Sequence, residues 1–435
     1  MPNINCIAQV YSFFATLLDL SISLMQFYAK KIESLRIFKN ANILKLLVSS
    51  IFYDATFITA YANIIINNIA NTGVIIAIIL AIKKIVRVFF DIPVGILVDK
   101  YLNPRISVII ALVIKIIFIL LMLFNNIYIL FLASILEGIS LSFYRGKINI
   151  LQYEIFEDEG LSECYEFFSS IYGLIINICT VIIAITASIV YMFLGMYAMF
   201  AGSALFLLVS LYLLHRLPTT GNAKLGNKPA IPCQSNIMPK YSLLHKIKNA
   251  LLSTSTSTIG LSVVLGVSCL GWQINAINQF VGIGTLEKQS SSVYIFQMGS
   301  VAMSIGYIIS MFTYNLKPVF LSFLLFVVFL LSSVISFIVS VKYSVFIVLP
   351  CLLAFSSIEV NMRKIILQKI DPKIRSVIIS ISTTVTSLIG FFIMYAFQIL
   401  NSKIGYKNTY ISIFTGLSIF VFIVMLFIIK YDDTK

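Results

Sequence analysis

The chain has 435 residues, 60% of them hydrophobic and 11% charged, with a formal net charge of +14 and a mean hydropathy of +1.00. Soluble domains average about 45–50% apolar and about 25% charged residues, and a globule in water cannot clothe itself with so little polar surface. Composition therefore excludes a secreted, cytosolic, fibrous or disordered protein and leaves a polytopic, all-α membrane protein with the lipid bilayer as its first partner.

Residues 1–40 open the chain as an N-terminal segment. Within it, residues 7–28 are largely apolar, but Gln9, Ser12, Thr16, Asp19, Ser23 and Gln26 recur at spacings of three and four. That pattern draws a polar stripe along one face of a helix. It reads as an amphipathic helix in the membrane interface, with a thirteenth span as the alternative. No basic residue precedes the apolar stretch, which argues against a cleaved signal peptide.

A spanning helix needs about 20 mainly apolar residues. Twelve such stretches follow, at 42–68, 72–98, 105–124, 127–147, 165–192, 195–215, 254–282, 290–315, 318–341, 343–367, 374–400 and 409–430. The polar run Pro218 to Ala250 has linker composition. It divides the chain into a six-helix half at 41–216, a linker at 217–250, a second half at 251–430 and a short tail at 431–435.

The basic residues set the expected topology. With both termini and the linker on the cytoplasmic side, only Lys288, Lys342, Lys403 and Lys407 of the 31 Lys and Arg residues fall outside. Lys83, Lys84, Arg87 and Lys115 fall within spans. Such asymmetry predicts both termini inside and explains the positive charge without invoking nucleic acid. The six cysteines and two histidines show no metal-ligand spacing, so neither a metal, a cofactor nor histidine catalysis is expected.

Span two carries Lys83, Lys84, Arg87 and Asp91. Counting back from Asp99 at ~1.5 Å per residue, Asp91 lies about 12 Å deep, Arg87 about 18 Å and Lys84 about 22 Å. At 100° per residue Lys83, Lys84, Arg87 and Asp91 share one face. Ionisable groups at bilayer depth are costly and usually mark pathways. Lys115 in span three, Asp54 in span one, Glu137 in span four and Glu359 in span ten add to the set. Two readings stay open. The acids and bases form a buried ion-pair network, or Lys83, Lys84, Arg87 and Lys115 offer positive charge to an anionic substrate. Asp54, Glu137 and Glu359 are the candidates for proton coupling, because a carboxyl in a low dielectric can exchange protons near neutrality. Span seven adds Trp272, Gln273, Asn275, Asn278 and Gln279, amides and an indole suited to a small-molecule site or to interhelical hydrogen bonds. The acidic run Glu154 to Glu166 reads as a cytoplasmic loop that either is solvated or pairs with basic residues of the linker or of the 363–375 loop.

At the end of span two the chain reads Gly95-Ile-Leu-Val-Asp99-Lys100-Tyr-Leu102-Asn-Pro104-Arg105. This resembles the loop signature of the major facilitator superfamily, G-x-x-x-D-R/K-x-G-x-R/K-R/K, with Leu102 in place of a glycine and Pro104 in place of a basic residue. Phe90-Asp91-Ile92-Pro93-Val94-Gly95 resembles the F-E-I-P-T-G run of one bacterial branch, often labelled drug- or macrolide-type exporters. Phe143 to Gly146 with Tyr153, Glu154, Gly160 and Tyr165, and Asp371 to Arg375 with Ser380, resemble the same branch. The resemblance covers nearly the whole chain past residue 41.

It implies a major facilitator fold of two pseudo-symmetric halves and a cavity lined by spans one, four, seven and ten. It also implies a latch of Asp91, Gly95, Asp99, Lys100 and Arg105 that stabilises the outward-facing state. The expected function is secondary transport of a small, anionic metabolite or nutrient across a bacterial inner membrane, proton-coupled or by exchange, by a monomer that is not an enzyme. Multidrug efflux is the alternative, weakened by the absence of a proline from Tyr172-Gly-Leu-Ile-Ile-Asn177 in span five. A non-transporting receptor on the same fold is a third reading.

Overall fold

The computed structural model describes residues 40–54, 56–70, 73–161, 164–217, 289–311, 318–338, 344–369 and 375–432. The amphipathic 7–28 segment, the linker and the 254–282 span, with Trp272, Gln273, Asn275, Asn278 and Gln279, lie outside the described residues.

Among the described residues all regular structure is helical: α1 (Ala41–Asp54), α2 (Phe57–Ala70), α3 (Gly73–Lys100), α4 (Pro104–Met122), α5 (Ile127–Tyr144), α6 (Lys147–Asp158), α7 (Tyr165–His215), α8 (Gln289–Ser310), α9 (Pro318–Ile338), α10 (Ser344–Lys369) and α11 (Arg375–Asp432). Two of these contain reversals. α7 turns at Gly195 (φ 77°) and α11 at Gly405 (φ 75°), in the left-handed region that only glycine enters at little cost. The first reversal falls between predicted spans five and six. In the second, helix runs through the predicted 401–408 loop up to Gly405.

Local chemistry fixes the tight connections. Asn103 (φ −91°, ψ 152°) caps α4, its side-chain oxygen accepting from the Arg105 and Ile106 amides, with Pro104 at the first helical position. Asn126 caps α5 by accepting from the Tyr128 amide at 2.8 Å, after Asn125 turns the chain at φ 44°. Between them α5 packs against both α3 and α4.

Two expectations fail here. The predicted first span, 42–68, is two helices, because α1 stops at Asp54 and Thr56 is non-helical. Polar Asp54 and Thr56 flank the interruption, and the Thr56 hydroxyl pairs with that of Thr59 at 2.8 Å instead of extending the ladder. The acidic stretch after span four is not a loop over Glu154 to Asp158: it is α6, launched by Gly146 (φ 80°) and ended at Gly160 (φ 70°). Ile148, Ile150, Leu151, Tyr153, Ile155 and Phe156 are all buried, so apolar packing folds it against the bundle.

The bundle inverts the pattern of a protein in water. Large apolar side chains such as Phe193, Leu330 and Phe392 face outward, while the contacts between helices are rich in hydroxyls. Ser140 donates to the Ala111 carbonyl at 2.8 Å, Ser107 to that of Phe143 at 2.8 Å, and Ser49 pairs with Ser210 at 2.8 Å. Small polar residues let helices approach closely and bond where lipid offers no partner. One apolar core joins α1 to α7, and a second joins α8 to α11. Leu367 of α10 and Ile379 of α11 pack into the first core, because α3 packs on α11 and α7 on α8.

Candidate functional site

The charges in the middle of the first six-helix half are mostly neutralised in pairs. Lys83 of α3 bonds Glu137 of α5. This pairing is brought about by a close approach, since a Cβ on Gly138 would lie 2.8 Å from the Lys83 carbonyl oxygen. One turn further, the Arg87 Nε lies 3.3 Å from Asp91 Oδ2, with side chains 3% and 1% exposed. Lys115 of α4 donates to the Tyr53 backbone carbonyl and lies 3.7 Å from the centroid of that residue's ring. The Tyr53 ring in turn stacks on Tyr144 at 3.4 Å.

Three charges stay outside this pairing. Among the described residues Lys84 and Arg145 have no carboxylate within ion-pair distance, and Asp54 has no basic one. Lys84 feels the fields of Arg87, Arg145, Lys83 and Glu137. Asp54 feels those of Lys115, Arg145 and Glu359. Lys84, Asp54 and Arg145 therefore share one electrostatic neighbourhood, to which Arg145 turns an exposed side chain at the end of α5.

The two halves meet at one end of the bundle. Asp99, past the predicted 72–98 span, accepts from the backbone amides of Ser376 at 3.0 Å and Val377 at 2.9 Å. A carboxylate at the first turn of α11 meets unpaired N–H groups and the positive end of the helix dipole. Enclosure raises the Asp99 carboxyl to about 7, burial outweighing the two amide donors and nearby Lys147. Gly95 permits this approach, since a Cβ there would stand 2.5 Å from Ser380 Oγ and 3.0 Å from the Ser376 carbonyl.

Other members of the predicted latch go elsewhere. Asp91 is held within α3 by Arg87, and Lys100 is exposed. Arg105 stays in its own half, donating to the carbonyls of Leu214 (2.9 Å) and His215 at the end of α7. The guanidinium adds charged donors to carbonyls of the last turn, where the Leu214 carbonyl also accepts from the Leu217 amide at 3.2 Å.

Residues not singled out as site candidates complete the junction. Lys147 is fully buried and donates to Ser380 Oγ at 2.8 Å. Arg375 Nη1 lies 3.5 Å from Glu157, and its guanidinium 4.8 Å from the Tyr153 ring centroid. In α10, Glu359 is bonded by Arg363 and by the Tyr307 hydroxyl at 2.9 Å. Arg363 also donates to Asn149 of α6 at 2.8 Å, and Tyr307 lies against Gly173 of α7. The sequence signals for this set are the i, i+4 spacing of Glu359 and Arg363 and the expected pairing of the acidic run with the 363–375 region, which Glu157 and Arg375 make. Lys147 looks like ordinary positive loop charge until α6 is seen to be a helix.

The arrangement is a paired charge cluster around a small uncompensated group, beside a junction where α6 and the end of α3 meet α10 and α11. No curated protein matches the sequence. Solved structures share the fold: the proton:xylose symporter XylE, bound to 6-bromo-6-deoxy-D-glucose (TM-score 0.66, 14% identity, 90% of this chain and 95% of that one), and the nucleoside transporter NupG (0.59, 16%, 89% and 100%). A bacterial homologue of the iron transporter ferroportin in an outward-facing state is a third (0.63, 14%, 90% and 98%). The family model for the Major Facilitator Superfamily matches residues 46–394. The chain is thus a membrane-spanning transporter with the twelve-helix fold, and it belongs to the major facilitator superfamily.

Proposed function

We propose that the protein is a secondary active transporter of a small anionic metabolite or nutrient in a bacterial inner membrane, working by alternating access between its two halves. The observation that carries this reading is the pair of bases left over. After Lys83–Glu137, Arg87–Asp91 and Glu359–Arg363 are matched, and Lys115 and Lys147 are taken up by a carbonyl and a hydroxyl, Lys84 and Arg145 stand without an acidic partner among the described residues. A half-buried cation and an exposed one in the same neighbourhood repel each other unless an anion joins them, and a carboxylate or phosphate of the substrate supplies that charge. In this reading Lys84 and Arg145 bind the anion, while Lys83 and Arg87 hold the wall in shape. The sequence offers the aromatic and amide residues of span seven, Trp272 to Gln279, as further candidate contacts to the substrate.

Protons move with the substrate through Asp54, which can gain or lose one without first breaking a salt bridge. In this reading the junction at Asp99, Gly95 and Arg375 is the cytoplasmic gate in its closed form, as an outward-facing state requires, with both termini inside.

The test is thermal unfolding of the purified protein with a panel of organic acids, sugar phosphates and inorganic phosphate, set against lipophilic cations such as tetraphenylphosphonium. A ligand at 100 times its Kd stabilises by about 2.7 kcal/mol. Anions should stabilise the wild type, and Lys84→Met or Arg145→Met should weaken them at least tenfold with little change in the unliganded protein. Stabilisation by cations alone, indifferent to both substitutions, overturns the proposal in favour of efflux of lipophilic compounds.

A further inference from the structure

The first span stops half-way through the membrane. Counting ~1.5 Å per residue from Ala41, Asp54 is about 20 Å along a span that crosses a core about 30 Å thick. A helix ending there leaves its last carbonyls without the donors that a further turn would provide, and hydrocarbon provides none. The end of α1 is also the negative end of its dipole. The sequence therefore creates a demand for positive charge at Tyr53 and Asp54.

Neighbouring helices meet that demand. From α4, the Lys115 ammonium reaches the Tyr53 carbonyl and lies 3.7 Å from the Tyr53 ring centroid. It feels the Asp54 carboxylate as its strongest charged neighbour. On the far lip of the break, the first orphan amides of α2 are met from α7, where Ser203 Oγ accepts from the Ile58 N–H at 3.1 Å. Both lips are thus bridged by specific groups, so the break is a built feature.

We propose that this break is a monovalent-cation site whose resident occupant is the ammonium group of Lys115. A backbone carbonyl at a helix C-terminus, the π-system of a tyrosine and an adjacent carboxylate each attract a small cation, and none of them requires a lysine tether. Lys115 is then a positioning residue. It holds the end of α1 and through it the direction of Asp54, and it is not a substrate contact as the sequence led one to expect.

Lys115→Ala removes the tethered ammonium and leaves its site open to a free ion. Thermal unfolding of this variant is compared in choline, sodium, potassium and methylammonium chlorides at equal ionic strength, choline being too large to enter. In choline the variant should melt several degrees below the wild type. Methylammonium or sodium should restore most of the loss in a saturable way. The wild type and Lys115→Arg, which carry their own cation, should show no such preference, and neither should Lys115→Met, which fills the space without charge. If Lys115→Ala folds only in methylammonium or sodium, the proposal is supported equally. Equal melting in all four salts, or failure to fold in all four, overturns it. These readouts use no substrate, so they stand apart from the anion test.

Discussion

The two halves of this transporter handle charge in opposite ways. The interior of α1 to α7 carries Asp54, Lys83, Lys84, Arg87, Asp91, Lys115 and Glu137, with Arg145 at its edge. The described interior of α8 to α11 carries the i, i+4 pair Glu359–Arg363 and, at its edge, Arg375, with Asn361, serine, threonine and apolar side chains elsewhere. Where the halves meet, Asp99 and Lys147 of the first are received by dipoles of the second, the amides of Ser376 and Val377 and the hydroxyl of Ser380, while Arg375 of the second half faces Glu157 and Arg363 donates to Asn149 of the first. Dipoles that already belong to a helix end or a helix surface are fixed before the halves approach. Asp99 and Lys147 can therefore dock and undock without leaving a bare charge behind on their partners, whereas parting Arg375 from Glu157 separates an ion pair.

The sharpest way to break this contrast is to unbalance the first half. Arg87→Leu leaves Asp91 ionised and buried, and removing one partner of such a pair costs about 3–5 kcal/mol. The double variant Arg87→Leu, Asp91→Leu should regain most of that loss, because apolar residues of similar volume often replace a buried pair at no net cost. Denaturant unfolding in detergent measures both. A single variant as stable as the wild type would mean that Asp91 is protonated or paired elsewhere, and the picture of a matched cluster would fail.

The second half should be vulnerable to volume rather than to charge. Gly306 of α8 faces the Leu353 carbonyl and the Ser356 hydroxyl of α10 so closely that no Cβ fits, and the Ser357 hydroxyl donates to the Gly306 carbonyl at 2.9 Å. Gly306→Val should cost about 1–3 kcal/mol through forced separation of α8 and α10. Gly306→Ala should fall between it and the wild type. Melting temperatures of the three proteins give the order, and an indifferent Val variant would show that the two helices have slack.

How much of this was legible in the sequence follows from what each feature depends on. Span number and the charged face of α3 are written in composition and in a 100° period, which need no tertiary information. Asp99 and Gly95 were found through a motif, yet their partners are backbone amides and a serine nearly 280 positions away, which no local pattern announces. Arg105 matched the same motif but serves the end of α7, whose last-turn carbonyls it reaches. The break after Asp54 escaped notice because its cause is not a proline or glycine. It is held open by Lys115 and Ser203, one on α4 and the other on α7. The same holds for Lys84 and Lys83, adjacent in sequence, of which only one meets a carboxylate in space.

The smallest effect predicted is a pH dependence at the junction. Asp99 titrates at about 7 while it is enclosed by α11, against the ordinary aspartate value of about 4 in water. The enclosed state thus binds the proton more tightly than an opened one, so acid favours it. Its advantage is complete below about pH 4 and is lost as pH rises toward 7, where the carboxylate ionises in place. Lys147 of α6 opposes this shift and Glu154 of α6 reinforces it, which keeps the net effect modest. Spin labels at the exposed positions Tyr101 and Gln368 would report the separation of the two halves at this end. Between pH 5.5 and 8 the population of long distances should grow in the wild type and stay flat in Asp99→Asn, which has no proton to lose. A shift that persists in Asp99→Asn would assign the pH response to another group, with Glu154 next to be replaced. A wild type that closes as pH rises would mean that the two amide bonds to the ionised carboxylate outweigh its burial, and that the junction is held by charge and helix dipole together.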